Sequence, residues 1–97
     1  MKKYILDCAA VKTEGDFWDL YCKVVGPEGE EYFGRNLSAF WDAVSAGGPG
    51  WPGKCEIELI NVRALTVELP LLFTGLRRIA EDLMAGVGVK ILLPGVP

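Results

Sequence analysis

The chain has 97 residues, 51% of them hydrophobic and 10% aromatic, enough for one domain with a real core and too apolar for a disordered segment. Its formal net charge is -3, and no run of Lys and Arg exceeds two residues. That balance argues against a nucleic-acid binder, which needs a basic stripe for phosphate, and favours attraction towards a basic partner.

The opening residues Tyr4, Ile5 and Leu6 read as a short buried-type strand ending near Cys8. Asp7 breaks this apolar run too early for a secretory leader. Thr13, with Asp16 three residues on, has the form of a helix start. Phe17, Leu20, Tyr21 and Val24 follow at i, i+3, i+4 and i+7 as its apolar stripe, with Trp18 beside it in a structural role. Gly26 and Pro27 end that helix, and a polar loop with Glu28, Glu30 and Glu31 comes next.

A second helix is predicted from Leu37 to about Ala46, capped by Asn36 and stopped by the segment Gly-Gly-Pro-Gly-Trp-Pro-Gly that begins at Gly47. Cys55 to Ile60 alternates as an edge or half-buried strand. Residues 61 to 69 read as loop or a short helical turn. Pro70 suits the first turn of a helix whose stripe is Leu72, Leu76, Ile79, Ala80 and Leu83, with a stop at Gly86. Val89 to Leu93 is the last strand. The expected fold is α/β, one domain over 1–97: a three-stranded parallel sheet with three to four helices in the order β-α-α-β-α-β.

No segment nears the roughly 18 apolar residues of a membrane span. Without His or a Cys-x-x-Cys pair, neither a metal site nor a cofactor is expected, and no small-molecule ligand is implied. The three cysteines, Cys8, Cys22 and Cys55, are odd in number and unpatterned, which suits inert reduced thiols in a cytoplasm. Catalysis lacks its usual base, and the glycine-rich segment lacks the Lys-Ser/Thr that follows a nucleotide loop.

The second helix carries the strongest signal. At about 100° per residue, Leu37, Phe40 and Val44 point one way with Trp41 at the edge. Arg35, Ser38, Asp42 and Ser45 fall opposite, flanked by Ala39 and Ala46. A solvated helix face usually carries Lys and Glu, whereas small residues let another surface approach. Asp42 lies past the middle of the helix, where the N-terminal dipole gives a carboxylate no benefit.

The run Tyr32-Phe33-Gly34-Arg35-Asn36-Leu37-Ser38-Ala39-Phe40-Trp41-Asp42 resembles the signature of the barstar family, intracellular inhibitors of barnase-type bacterial ribonucleases. The first strand, the Gly-rich break after the helix and the ending from Gly86 to Leu93 extend the resemblance over essentially the whole chain. It implies a barstar-like fold in which the second helix and the loop before it plug a cationic ribonuclease cleft. By position Asp42 matches the carboxylate that takes the place of RNA phosphate. Tyr32 matches an aromatic that packs on the enzyme, Asn36 and Leu37 match contact residues, and Glu81 matches a further acidic contact. Gly34, Trp41 and Gly47 belong to the same expected surface. The implied partner is a secreted ribonuclease or ribonuclease-like toxin, bound 1:1.

Two positions depart from that pattern. Ser38 stands where the family has a second Asp, and Arg35 occupies an acidic or variable position. The target implied is therefore a guanyl-type ribonuclease or another toxin nuclease, with Glu28, Glu30 and Glu31 available to restore negative charge. Trp51 is either a lid on the core or an exposed anchor. Glu81 is either a partner contact or the i,i+4 mate of Arg77.

Overall fold

In the computed structural model, which describes residues 2–83 and 88–94, seven regular elements follow the chain. They are β1 (Lys2–Asp7), α1 (Glu14–Val25), α2 (Leu37–Ala46), β2 (Cys55–Ile60), α3 (Arg63–Glu68), α4 (Pro70–Asp82) and β3 (Val89–Leu92). The expected stop at Gly86 lies outside the described residues. β2 is the centre of a parallel sheet, paired from Lys2↔Cys55 to Asp7↔Ile60 on one side and from Cys55↔Val89 to Glu58↔Leu92 on the other. The α/β class and the three parallel strands agree with the expectation; α3 adds one element to the expected order.

Strand geometry sends successive side chains to opposite faces. Leu6, Cys55, Ile57, Leu59, Val89 and Ile91 are buried on the helix-covered face. Lys3, Ile5, Asp7 and Lys90 lie on the other face, exposed, with Glu56, Glu58, Ile60 and Leu92 half-buried between them. There Lys3 Nζ pairs with Glu58 Oε1 at 2.9 Å. β1 departs from the expectation: it is a sheet edge with Leu6 as its buried side chain and Ile5 51% exposed, rather than a buried-type strand. Of the two forms expected for Cys55 to Ile60, β2 takes the half-buried one; it is central, not an edge, and its alternation records the one covered face.

α1 begins with a complete capping box: Thr13 Oγ1 accepts from the Asp16 N–H at 3.1 Å, and Asp16 Oδ2 accepts from the Thr13 N–H at 3.1 Å. Backbone N–H groups of Lys12 and Thr13 hold the Asp16 carboxyl below the usual carboxylate range. The helix closes at Gly26, in the left-handed region at φ 59°, where glycine avoids the Cβ penalty. Its buried face is Phe17, Trp18, Tyr21, Cys22 and Val25, so the expected stripe is rotated and Val24 is left at the surface. Trp18 is the cause. Its indole is fully buried, edge-on to Phe17, Tyr21 and Phe33 and tilted against Phe40. Aromatic pairs of this kind contribute about 0.5–1.5 kcal/mol each beyond area burial.

α3 answers the open stretch before Pro70. It is six residues long, has no side-chain cap at Val62, and is followed by Leu69, which is at once its C-cap and the N-cap of α4. Asn61 precedes it in the left-handed region and donates through Nδ2 to Asp7 Oδ1 at 2.9 Å, tying the ends of β1 and β2 together. α4 buries Leu72, Phe73, Leu76 and Ile79, with Leu83 buried just beyond it.

Candidate partner-binding surface

Tyr32 and Phe33 sit side by side at the end of a 3-10 turn, Glu30–Tyr32, and go opposite ways. Phe33 is buried against Trp18 and Tyr21, with ring centroids 5.7 Å away in both cases. Tyr32 is 76% exposed. The buried ring holds the turn to the core, and the turn presents its neighbour to solvent.

Gly34 and Arg35 then redirect the chain into α2. A Cβ at Gly34 would come 3.0 Å from the Ala39 Cβ, so the approach is too close for a larger residue without a shift. Arg35 has φ 52°, unusual for a non-glycine residue. Its guanidinium donates to Asp19 on α1. The cation that departs from the expected pattern is thus turned back onto the protein and neutralised there. Asn36 caps α2 as predicted: Oδ1 accepts from the Ala39 N–H at 2.8 Å and Nδ2 donates to the Gly34 carbonyl at 3.2 Å.

α2 buries Phe40, Ala43 and Val44 and half-buries Leu37. Ser38 and Asp42 are exposed, and Trp41 is 37% exposed. Among the described residues, the Asp42 carboxylate makes neither a hydrogen bond nor an ion pair. The helix ends at Gly47, φ 75°, whose N–H reaches the Ala43 and Asp42 carbonyls.

The loop after α2 is joined to the loop before it. Glu28 N–H donates to the Trp51 carbonyl at 3.0 Å, and Gly50 N–H donates to the Glu28 carbonyl at 2.7 Å. Trp51 packs on the core with part of its surface open, which is the lid arrangement with one face left over. Glu28, Glu30 and Glu31 are exposed on the upstream loop. Tyr21 Oη reaches from α1 to the Gly50 carbonyl at 2.7 Å and ties the pair of loops to the core.

α4 supplies the other wall. A Cβ at Gly75 would run into Leu37 Cδ1, so glycine is what admits this side chain between the helices. Beyond that contact lies an open groove of about 460 Å³, lined by Leu37, Ser38, Trp41 and Asp42 from α2 and by Gly75, Arg78, Ile79 and Asp82 from α4. Glu81 is exposed but outside this lining. It makes no ion pair with Arg77 among the described residues; Arg77 lies over the Phe73 ring at 5.8 Å. Asp82 is the groove acid that the sequence reading missed. The signal was present, since residues 75, 78, 79 and 82 fall at i, i+3, i+4 and i+7 on one helix face.

The three cysteines are buried and unpaired. Burial pushes the Cys8 thiol up to about 11, with the Asp7 charge adding to it, and burial also raises Cys22 and Cys55. Thiols in this state are poor nucleophiles.

No family model matches the chain. No curated protein matches it either. The surface carries a carboxylate without a partner among the described residues on a low-profile helix face, an exposed tyrosine, and loops anchored to the core. No helix among the described residues is long and apolar enough to cross a membrane.

Proposed function

We propose that the protein is a stoichiometric inhibitor of a bacterial extracellular ribonuclease of the guanyl-specific, barnase-like kind, entering its basic active-site cleft with α2. The observation that carries this reading is Asp42, an exposed carboxylate with no hydrogen-bond or ion-pair partner among the described residues, on a helix fixed at both ends by Asn36 and Gly47. A cleft built for phosphate offers Arg, Lys and His donors. A carboxylate held on a rigid helix satisfies them through charge-assisted hydrogen bonds. Ser38 and Ala39 keep the flank low, and Tyr32 adds an exposed aromatic of the type that anchors interfaces. The resemblance of residues 32–42 to the barstar signature supports the same reading.

A barstar-like immunity protein for a different toxin nuclease is the second reading. Ser38 removes one carboxylate from the plug, and Arg35 adds a cation beside it. The Arg35–Asp19 pair reduces the second objection without restoring the missing acid.

Titration of a barnase-type ribonuclease with the purified protein tests the proposal, with Asp42→Ala in parallel. The wild type should abolish RNA cleavage at a 1:1 ratio, less tightly as salt rises. Breaking one side of a buried charge pair costs about 2–5 kcal/mol, so Asp42→Ala should bind roughly thirty- to several-thousand-fold more weakly. A mutant as potent as wild type would remove Asp42 from the site. Inhibition of another toxin nuclease, with none of the barnase-type enzyme, would select the second reading.

A further inference from the structure

The sheet has two open edges, and β1 is the longer one, six residues against four in β3. Among the described residues, no other segment pairs with its outer side. The Cys8 N–H, just past β1, donates to the Ile60 carbonyl at 3.0 Å. Main-chain polar groups alternate in direction along a strand, so those of Tyr4 and Leu6 also face β2, and those of Lys3, Ile5 and Asp7 face outward. The side chains of the same three residues lie on the uncovered face of the sheet, with Ile5 51% exposed between a cation and an anion. An antiparallel second copy of this strand meets each charge with its opposite. Lysine on an edge strand ordinarily discourages such pairing, and here the acid four residues on removes that barrier for one register.

We infer that two copies of the chain pair through β1, antiparallel and with Ile5 on the two-fold axis, joining two three-stranded sheets into one. In this register Lys3 of each copy lies opposite Asp7 of the other, Ile5 opposite Ile5, and Tyr4 opposite Leu6. The three outward-facing residues become the hydrogen-bonded pairs of the new ladder, each pair exchanging two N–H···O bonds. A two-residue slip either way keeps that bonding but takes Lys3 away from the carboxylate, and an in-register parallel pairing sets Lys3 on Lys3 and Asp7 on Asp7. Asp7 is held ready. Asn61 Nδ2 and the Ala9 N–H both donate to its Oδ1, at 2.9 and 3.0 Å, and Oδ2 has no partner among the described residues. The same bonds, that from Asn61 first, hold its carboxyl below the usual carboxylate range. Lys3 Nζ has three donors, of which the 2.9 Å contact to Glu58 takes one. β1 lies at the edge opposite β3, the strand on which α4 packs, and α4 packs in turn on α2. The pairing therefore leaves Asp42 open on each copy and is independent of what α2 binds. A ladder at one edge covers little area, so the dimer is a reversible one, with a dissociation constant of roughly 1 μM to 1 mM.

Sedimentation of the full chain from about 1 μM to 1 mM, with no ribonuclease present, tests the pairing. The wild type should pass from monomer to dimer within that range. Lys3→Glu and Asp7→Lys each set like charges opposite one another, and each alone should self-associate roughly ten-fold or more weakly. Mixed in equal amounts, the two variants place opposite charges at both ends of the ladder and should associate with each other to within about three-fold of the wild type. Ile5→Pro removes an outward N–H that the molecule's own sheet does not use, at an edge position where proline is tolerated, and should be folded in urea titration yet monomeric. Val67→Ser removes a different exposed apolar side chain, on α3, and should change the association by less than about two-fold. A wild type that stays monomeric at about 1 mM overturns the inference, as does a dimer that survives Ile5→Pro or one dispersed by Val67→Ser. Should Ile5→Pro fail to fold, the charge variants decide: undiminished self-association of either one, or a mixture no tighter than its components, overturns the pairing.

Discussion

Replacing Tyr21 by Phe isolates one hydrogen bond. The ring stays buried against Phe40 and Phe33, at 5.2 and 5.7 Å, so the aromatic packing is retained. What is lost is the bond from Tyr21 Oη to the Gly50 carbonyl at 2.7 Å, for which no second donor is found among the described residues. A buried hydrogen bond contributes about 0.5–1.5 kcal/mol net, and an orphaned buried acceptor costs about 1–3 kcal/mol. Tyr21→Phe should therefore destabilise by about 1–2 kcal/mol. In urea that lowers the midpoint by roughly 0.5–1 M for a slope near 2 kcal/mol/M, and in heating by about 4–8 °C per kcal/mol. The pH dependence carries the same signature. Burial raises the Tyr21 phenol far above its ordinary value, so the native state favours the neutral form. A raised folded pKa gives stability that is complete below the unfolded value of about 10 and lost as pH climbs past it. The alkaline loss should shrink in Tyr21→Phe. A mutant within the ~0.5 kcal/mol of a neutral surface change, with an unaltered alkaline slope, would refute the reasoning.

Arg35 allows a comparison between two replacements. Both Gly and Ala remove an exposed ion pair worth about 0.2–1 kcal/mol, but only Gly relieves the left-handed backbone, so Arg35→Gly should be about 1 kcal/mol more stable than Arg35→Ala in urea. Equal stabilities would show that the strain is absent. The cysteines should resist a thiol-specific reagent in the native protein and react together on unfolding. Because Cys8 is raised to about 11, its contribution to stability is intact below the unfolded value of about 8.5 and declines as pH rises through 11. Rapid native labelling at pH 8 would contradict its burial.

Helix ends were the most legible part of the sequence, because caps are local. Thr13 with Asp16, Gly26, Asn36 and Gly47 each act within a few residues of their own position, and each does what its type dictates. Burial was less legible because it depends on what lies opposite. Trp18 looked peripheral to a narrow stripe, yet Phe33 and Phe40 arrive from other segments and turn α1 towards it. Nothing in the alternation of Cys55 to Ile60 says that both of its edges are paired. α3 was legible only as one of two alternatives, loop or a short helical turn, for a local reason: six residues without a side-chain cap give neither periodicity nor a start signal. At the candidate site, the α2 residues were readable from one helix face. The contribution of α4 through Gly75 and Asp82 needed the packing of two helices. The role of Asp19 in holding Arg35 needed a third.

The opposed directions of Tyr32 and Phe33 bear on how fast and how economically the proposed complex would form. The inward ring acts as a peg, so the turn carrying Tyr32 is ordered before any partner arrives. Ordering a loop at the moment of association ordinarily subtracts from affinity. Here that entropy is already surrendered during folding, which leaves encounter rate to collision geometry and long-range attraction rather than to waiting for the loop to rearrange.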